Sequence, residues 1–285
     1  MSLTIEQKSN YDGVPKAAEL IEITGASALE ASDRAILNLL YQHAHDSGRL
    51  IEPGAEWEMP ITALRFSKHY GTERIPESLT RLLGVQVRVS YVDKTTGEFR
   101  DLMTHLFNFF DVPSGCRPGL IRYGVPDKLR PILATSSRWG RIKAEVVCAM
   151  SSKYAMAFYE MVQLRGNLDR SLERFPIARF RELIGVPFGT YERGNDLLRY
   201  VVSPAVLEVN GLSEFGIRLD IERAHLRAPI SAVSLVWWRK QGDEYRATSQ
   251  ERQRSKLGRK ARLQGGAVEI ASAAAFLDIG PNDAL

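Results

Sequence analysis

The sequence predicts an α+β chain in which one unit of structure is used twice: a core helix, two helices at a tight turn, then a two-stranded hairpin. Three observations carry this. Apolar residues recur at helical spacing in two separated sets, period-two alternation follows each set, and the elements come in the same order in both halves. A chain of 285 residues with 44% hydrophobic content suits two domains of ordinary size better than one unusually large one.

In the first half, Ser27 and Glu30 stand at capping-box spacing, and Ile36, Leu37, Leu40 and Ala44 form one stripe, which predicts a core helix over 27–46. Pro60 suits a first helical turn and opens a second predicted helix through Ile61 and Leu64 to Gly71. A third helix over 74–83 buries Ile75, Leu79, Leu82 and Leu83 and leaves Arg74, Glu77, Thr80 and Arg81 outside. Val85, Val87, Val89 and Tyr91 then alternate with polar residues. Turn chemistry from Asp93 to Gly97 leads to a second strand expected to reach Phe110.

Residues 154–164 repeat the pattern with Ala155, Phe158, Tyr159 and Val162 on one face. Pro176 opens a helix carrying Ile177, Phe180, Leu183 and Ile184 before Gly185. A long helix over 195–210 follows, with Leu198, Val202, Ala205 and Val209 as its stripe; Pro204 predicts a kink or break near Tyr200. Phe215, Ile217, Leu219 and Ile221 alternate cleanly, and a second strand runs over 230–238, ending in Trp237 and Trp238, of which one should face the core. A helix-turn-helix with a β-hairpin beside it is a winged helix. The expected organisation is an N-terminal arm (1–26), a first winged-helix domain (27–135), a second (136–240) and a basic, partly disordered tail (241–285).

Net charge is only +4, but Arg239, Lys240, Arg246, Arg252, Arg254, Lys256, Arg259, Lys260 and Arg262 crowd one segment, which suggests a polyanionic partner. No apolar run is long enough to span a bilayer, and the N-terminus lacks the basic-then-apolar order of a secretory signal, so a cytoplasmic protein without membrane contact is expected. Two cysteines, Cys116 and Cys148, support neither a disulfide framework nor a cysteine-rich zinc site. No phosphate-binding glycine loop, HExxH or metal-spaced acidic cluster is present. His43-Ala44-His45 matches the short metal-binding pattern of rolling-circle initiators. On a helix, however, residues two apart point in divergent directions, so no catalytic residue, metal or cofactor is expected.

Three stretches of the second half resemble the initiator replication (Rep) proteins of iteron-containing plasmids. Ser152-Lys153-Tyr154 with Phe158-Tyr159-Glu160 is similar to that family's SKY…LYE helix. FPIARFRELIGV (175–186) resembles its first helix-turn-helix element. LRYVVSPAVLEVN (198–210) resembles its recognition helix, Pro204 included. In the first half only the element order and ITALRF (61–66) match. The resemblance implies double-stranded DNA as partner, bound as origin direct repeats by monomers and as an operator by a dimer that represses its own gene. It also implies contact with a host replication initiator and a replicative helicase. A two-domain winged-helix repressor that never opens an origin is the alternative, since both need the same groove contacts.

Within that frame Arg199 is the candidate for a bidentate guanine contact and Asn195 for adenine. Tyr200 and Ser203 are candidates for base or phosphate, and Arg193 for phosphate. Arg199 paired with Asp196 on a solvated face is the other reading. In the first half the analogous candidates are Arg74, Thr80 and Arg81, with a Glu77–Arg81 pair as the plain alternative. Arg223, His225 and Arg227 fall on the second hairpin tip, as phosphate contacts or as a solvated turn. The basic cluster after Arg239 adds sequence-independent affinity or merely solubility.

Overall fold

The computed structural model describes residues 13–65, 71–114, 119–166, 168, 170–225 and 228–265. β1 (Val14–Ala17) pairs antiparallel with β7 (Trp139–Ile142), and α1 (Ala18–Ile21) buries Ala18, Leu20 and Ile21. Residues 14–21 therefore belong to the folded body and not to a separate arm. Four residues of strand and four of helix are too short to show a period beside the patterned helices.

α2 (Ala31–Asp46) is the expected core helix, opening later than its stripe suggests. Glu30 caps it, and the Asp33 carboxylate accepts from the Glu30 amide at 2.8 Å, while Ser27 sits in a 3-10 turn (Ala26–Ala28). β2 (Glu56–Pro60) ends at the proline expected to begin a helix. A single 3-10 turn, Ile61–Leu64, follows, and Ile61 and Leu64, three apart, are both buried as that geometry requires. A further 3-10 turn (Thr72–Arg74) leads into α3 (Ile75–Gly84). β3 (Gln86–Val92) and β4 (Phe99–His105) form the predicted hairpin in direct register. The second strand stops at His105 instead of Phe110, because β5 (Phe109–Asp111) turns away to join β6 (Leu120–Gly124) and β2 in another sheet. α4 (Leu129–Ala134) closes this half.

After β7 come α5 (Ala144–Ala149) and α6 (Lys153–Arg165), whose Ser152 hydroxyl accepts from the amides of Tyr154 and Ala155. β8 (Leu172–Pro176) leads into α7 (Ile177–Ile184), which ends on Gly185 in the left-handed region at φ 75°. A Cβ there would lie 2.9 Å from Nη2 of Arg34, so this glycine lets the two halves approach. α8 (Gly194–Asp196), a π-helical turn (Leu197–Val202) and α9 (Ser203–Leu212) run on continuously. β9 (Phe215–Glu222) and β10 (Ala232–Arg239) pair, with β8 on the far side of β10. Trp237 is buried and Trp238 exposed, as alternation requires.

One apolar cluster is formed by residues from Ala17 to Leu133, and a second by Ala35 with residues from Ile142 to Trp237. α2 serves both, presenting Ile36, Leu37 and Leu40 to the first and Ala35 to the second. Between them lies a buried charge cluster. Lys16 Nζ is 2.8 Å from both Glu160 Oε1 and Asn38 Oδ1, the Asn38 amide donates to Glu160 Oε1 at 3.0 Å, and Arg34 lies 3.8 Å from Glu160 Oε2.

The basic segment is folded where a partly disordered tail was expected from residue 241 on, and residues 266–285 of that tail lie outside the described residues. α10 (Gly242–Gln253) and α11 (Arg259–Leu263) fold back onto the second half. Arg252 donates to the Leu212 carbonyl, Arg259 to Ala149, and Lys256 to Cys148, while Arg259 and Arg262 share the Glu251 carboxylate. These cations cap helix ends that would otherwise leave carbonyls unmet. Cys148 is a free thiol, and Cys116 lies outside the described residues.

Lys240 is nearly inaccessible, and its ammonium donates to the Asn210 and Ser213 carbonyls and the Thr248 hydroxyl. Burial pushes it down to about 8, against the pull of Glu244 and Glu214. Between that value and its ordinary 10.5, the unfolded chain holds a proton that the folded chain has released. This group's contribution to stability therefore rises with pH through that window. Lys240→Met is expected to remove that rise in thermal melts compared between about pH 7.5 and 9.5. An identical pH slope in parent and variant contradicts the assignment.

Candidate nucleic-acid interface

α7, the turn 185–193 and the α8–π–α9 helix form a helix-turn-helix with the β9–β10 hairpin beside it. The π turn explains how Pro204 is accommodated. Widening one turn by a residue frees the amide position that proline lacks, without a break in the rod. It also shifts the buried stripe: Leu197 and Val201 join Val202, Ala205 and Val209 in the core, and Leu198 is only half-buried.

The outward face carries the predicted residues. Arg193, Asn195, Arg199, Tyr200 and Ser203 are all exposed. The Arg193 backbone carbonyl accepts from the amides of Asp196 and Leu197, which fixes this arginine at the very start of the helix. Arg199 lies over its neighbour's ring, with the guanidinium carbon 5.3 Å from the Tyr200 centroid. Among the described residues neither Arg193 nor Arg199 has a carboxylate partner, Asp196 included, so both charges are available at the surface.

The turn holds features that the apolar pattern does not reveal. Tyr191 is a non-glycine residue at φ 49°, a strained conformation held because Arg181 donates to the Thr190 and Tyr191 carbonyls. The Tyr191 and Tyr200 rings lie 6.3 Å apart, and Phe188 projects fully into solvent. Glu208 and Asn210 are structural. Glu208 accepts from the amides of Ser151 and Ser152, and Asn210 exchanges two hydrogen bonds with the backbone of Ile217. The Glu-x-Asn end of the helix thus ties it to α6 and β9.

Elsewhere the predicted candidates do not assemble into a comparable face. Arg81 forms a two-pronged pair with the buried Asp33 carboxylate at 2.7 and 2.8 Å, and this pair, which holds α3 on α2, engages the guanidinium expected to meet DNA. Burial pushes the Asp33 carboxyl up, but hydrogen bonds from Arg81 and the Glu30 amide hold it below the usual range. Thr80 bonds back to the Pro76 carbonyl, and Arg74 stands exposed in its 3-10 turn. Arg223 is half-buried against Asn195 rather than free at the tip, His225 is exposed, and Arg227 lies outside the described residues. His43 and His45 are both on α2. The Tyr123 hydroxyl donates to the Leu40 carbonyl and lies 2.9 Å from His43 Nδ1, which therefore carries the proton of that contact. Among the described residues no three His, Cys, Asp or Glu side chains are grouped to hold a metal, and no helix is long and apolar enough to cross a membrane.

The fold has a solved counterpart. The chain is similar to the Pi initiator protein in its crystal structure in complex with iteron DNA. TM-score is 0.61 and identity 12%, over 80% of this chain and 98% of that one. At that identity the likeness is one of fold. No family model matches the chain, and no curated protein matches it in sequence.

Proposed function

We propose that this chain is a sequence-specific DNA-binding protein, without enzymatic activity, that initiates plasmid replication by binding repeated origin sequences. Two winged-helix units carry this function, with the second reading the major groove. The observation that supports this most is the exposed helix face bearing Arg193, Asn195, Arg199, Tyr200 and Ser203 beside a hairpin. That face stands on a fold shared with an iteron-bound initiator. An α-helix fits the major groove, and an arginine near its N-terminus meets guanine O6 and N7 with two parallel donors. Arg193 then holds phosphate at the helix start, and the Tyr200 ring beneath Arg199 limits its rotamers. Binding at direct repeats, repression of the chain's own gene by a dimer, and recruitment of a host initiator and helicase in the cytoplasm complete the reading.

Arg199→Ala is expected to weaken specific binding by about 1–3 kcal/mol while leaving binding to unrelated duplex nearly unchanged. Competition gel shifts against the chain's own origin DNA measure both. Equal affinity of parent and variant for the specific site removes Arg199 from the readers.

A further inference from the structure

Near its tip, the second hairpin meets the start of the recognition helix through a side-chain contact. Arg223, just beyond β9, places Nη2 3.2 Å from Oδ1 of Asn195, while its Nη1 donates to the Ala228 carbonyl at 3.3 Å. Gly194 permits the approach, since a Cβ there would stand 2.9 Å from Ile230 Cδ1 and 3.3 Å from Arg223 Nη2. A carboxamide has two ends of nearly equal shape and opposite hydrogen-bonding sense, and a guanidinium has donors only. Pairing with Arg223 therefore turns the Asn195 oxygen toward the hairpin. The amide nitrogen and the second oxygen lone pair remain for another partner, and Asn195 is exposed.

We propose that Arg223 is a positioning residue for base recognition: it fixes the orientation of the Asn195 carboxamide so that this residue selects adenine. Adenine offers N7 as acceptor and N6 as donor on its major-groove edge, the complement of an amide held this way. The proposal rests on the DNA-reading assignment above and gives the hairpin a part in base choice, where a phosphate contact would carry no sequence information.

The test is selection of binding sites by the full-length protein from a randomised duplex pool, repeated with Asn195→Ala, Arg223→Ala, Arg223→Lys and the double alanine variant. The parent is expected to select a motif with adenine at one position. Asn195→Ala lowers that preference on the order of 10-fold, Arg223→Ala relaxes the same position, and the double variant relaxes it no further. Arg223→Lys, which keeps the charge but not the two-pronged bridge, behaves like the alanine variant. Thermal melts identify any variant that has lost its fold, and Arg223→Lys then decides. The proposal is overturned if Arg223 variants lower affinity for all sequences alike and reduce the salt dependence with base preferences intact. It is equally overturned if Asn195→Ala leaves every position unchanged. A parent that selects no motif instead overturns the DNA-reading assignment beneath it.

Discussion

Glu160→Ala is expected to destabilise the protein by about 3–5 kcal/mol, because it strands the buried cations Lys16 and Arg34 between the two cores without a counter-charge. Burial pushes the Glu160 carboxyl up, but the Lys16 ammonium, the Arg34 guanidinium and the Asn38 amide outweigh this and hold it below the usual range. A carboxylate with a depressed folded value stabilises at pH above its ordinary range, and the contribution is lost as pH falls through the folded value. Glu160→Gln keeps the shape but not the charge and is expected to lie between parent and alanine. Urea unfolding monitored by circular dichroism measures all three. A loss under about 1 kcal/mol for Glu160→Ala would mean that water reaches the cluster and screens it.

Truncation after Gln241 is expected to destabilise the second half by roughly 3 kcal/mol, the scale of a few lost charge-to-carbonyl hydrogen bonds. The segment removed supplies Arg252 to the Leu212 carbonyl, Thr248 to the Lys240 ammonium and Arg259 to the end of α5. Because Leu212 ends the helix proposed to read DNA, loss of specific binding should accompany the loss of stability. Were the segment a solvated basic clamp, truncation would instead leave the melting temperature unchanged and lower the salt dependence of binding to all sequences. Melts and salt titrations on the truncated chain separate these outcomes.

Where long stripes bury one face, the sequence was legible: α2, α6, α7 and the β3–β4 and β9–β10 hairpins follow their apolar spacing, and α3 does so except at Leu83, which was expected in the buried stripe and is exposed while Ser78 is buried in its stead. Segments without such a stripe were not. β1 and α1 are too short to declare a period, and Pro60, expected to open a helix, ends a strand, with a 3-10 turn at Ile61–Leu64 after it and residues 66–70 of the expected helix outside the described residues. α10 and α11 are held by guanidinium-to-carbonyl bonds that leave no hydrophobic pattern. The exposed face of the α8–π–α9 helix followed from its period even though the π turn moved the stripe by a residue. Arg81 and Arg223 show why arginines on a predicted outer face are hard to assign: Asp33 lies 48 residues from one and Asn195 lies 28 from the other. The family-like SKY, Tyr-Glu and Glu-x-Asn residues bind other parts of the chain. Lys153 meets the Ser27 carbonyl, Glu160 meets Lys16, and Glu208 and Asn210 meet α6 and β9, so that resemblance marks scaffold more than DNA contact.

The most direct test of DNA reading at an origin is a nuclease footprint of the purified full-length chain on the DNA flanking its own gene, at low and near-physiological salt. Regularly spaced protection over direct repeats, retained at the higher salt and lost with Arg199→Ala, is the predicted result. Protection of a single inverted repeat alone, or none that survives the higher salt, would contradict it.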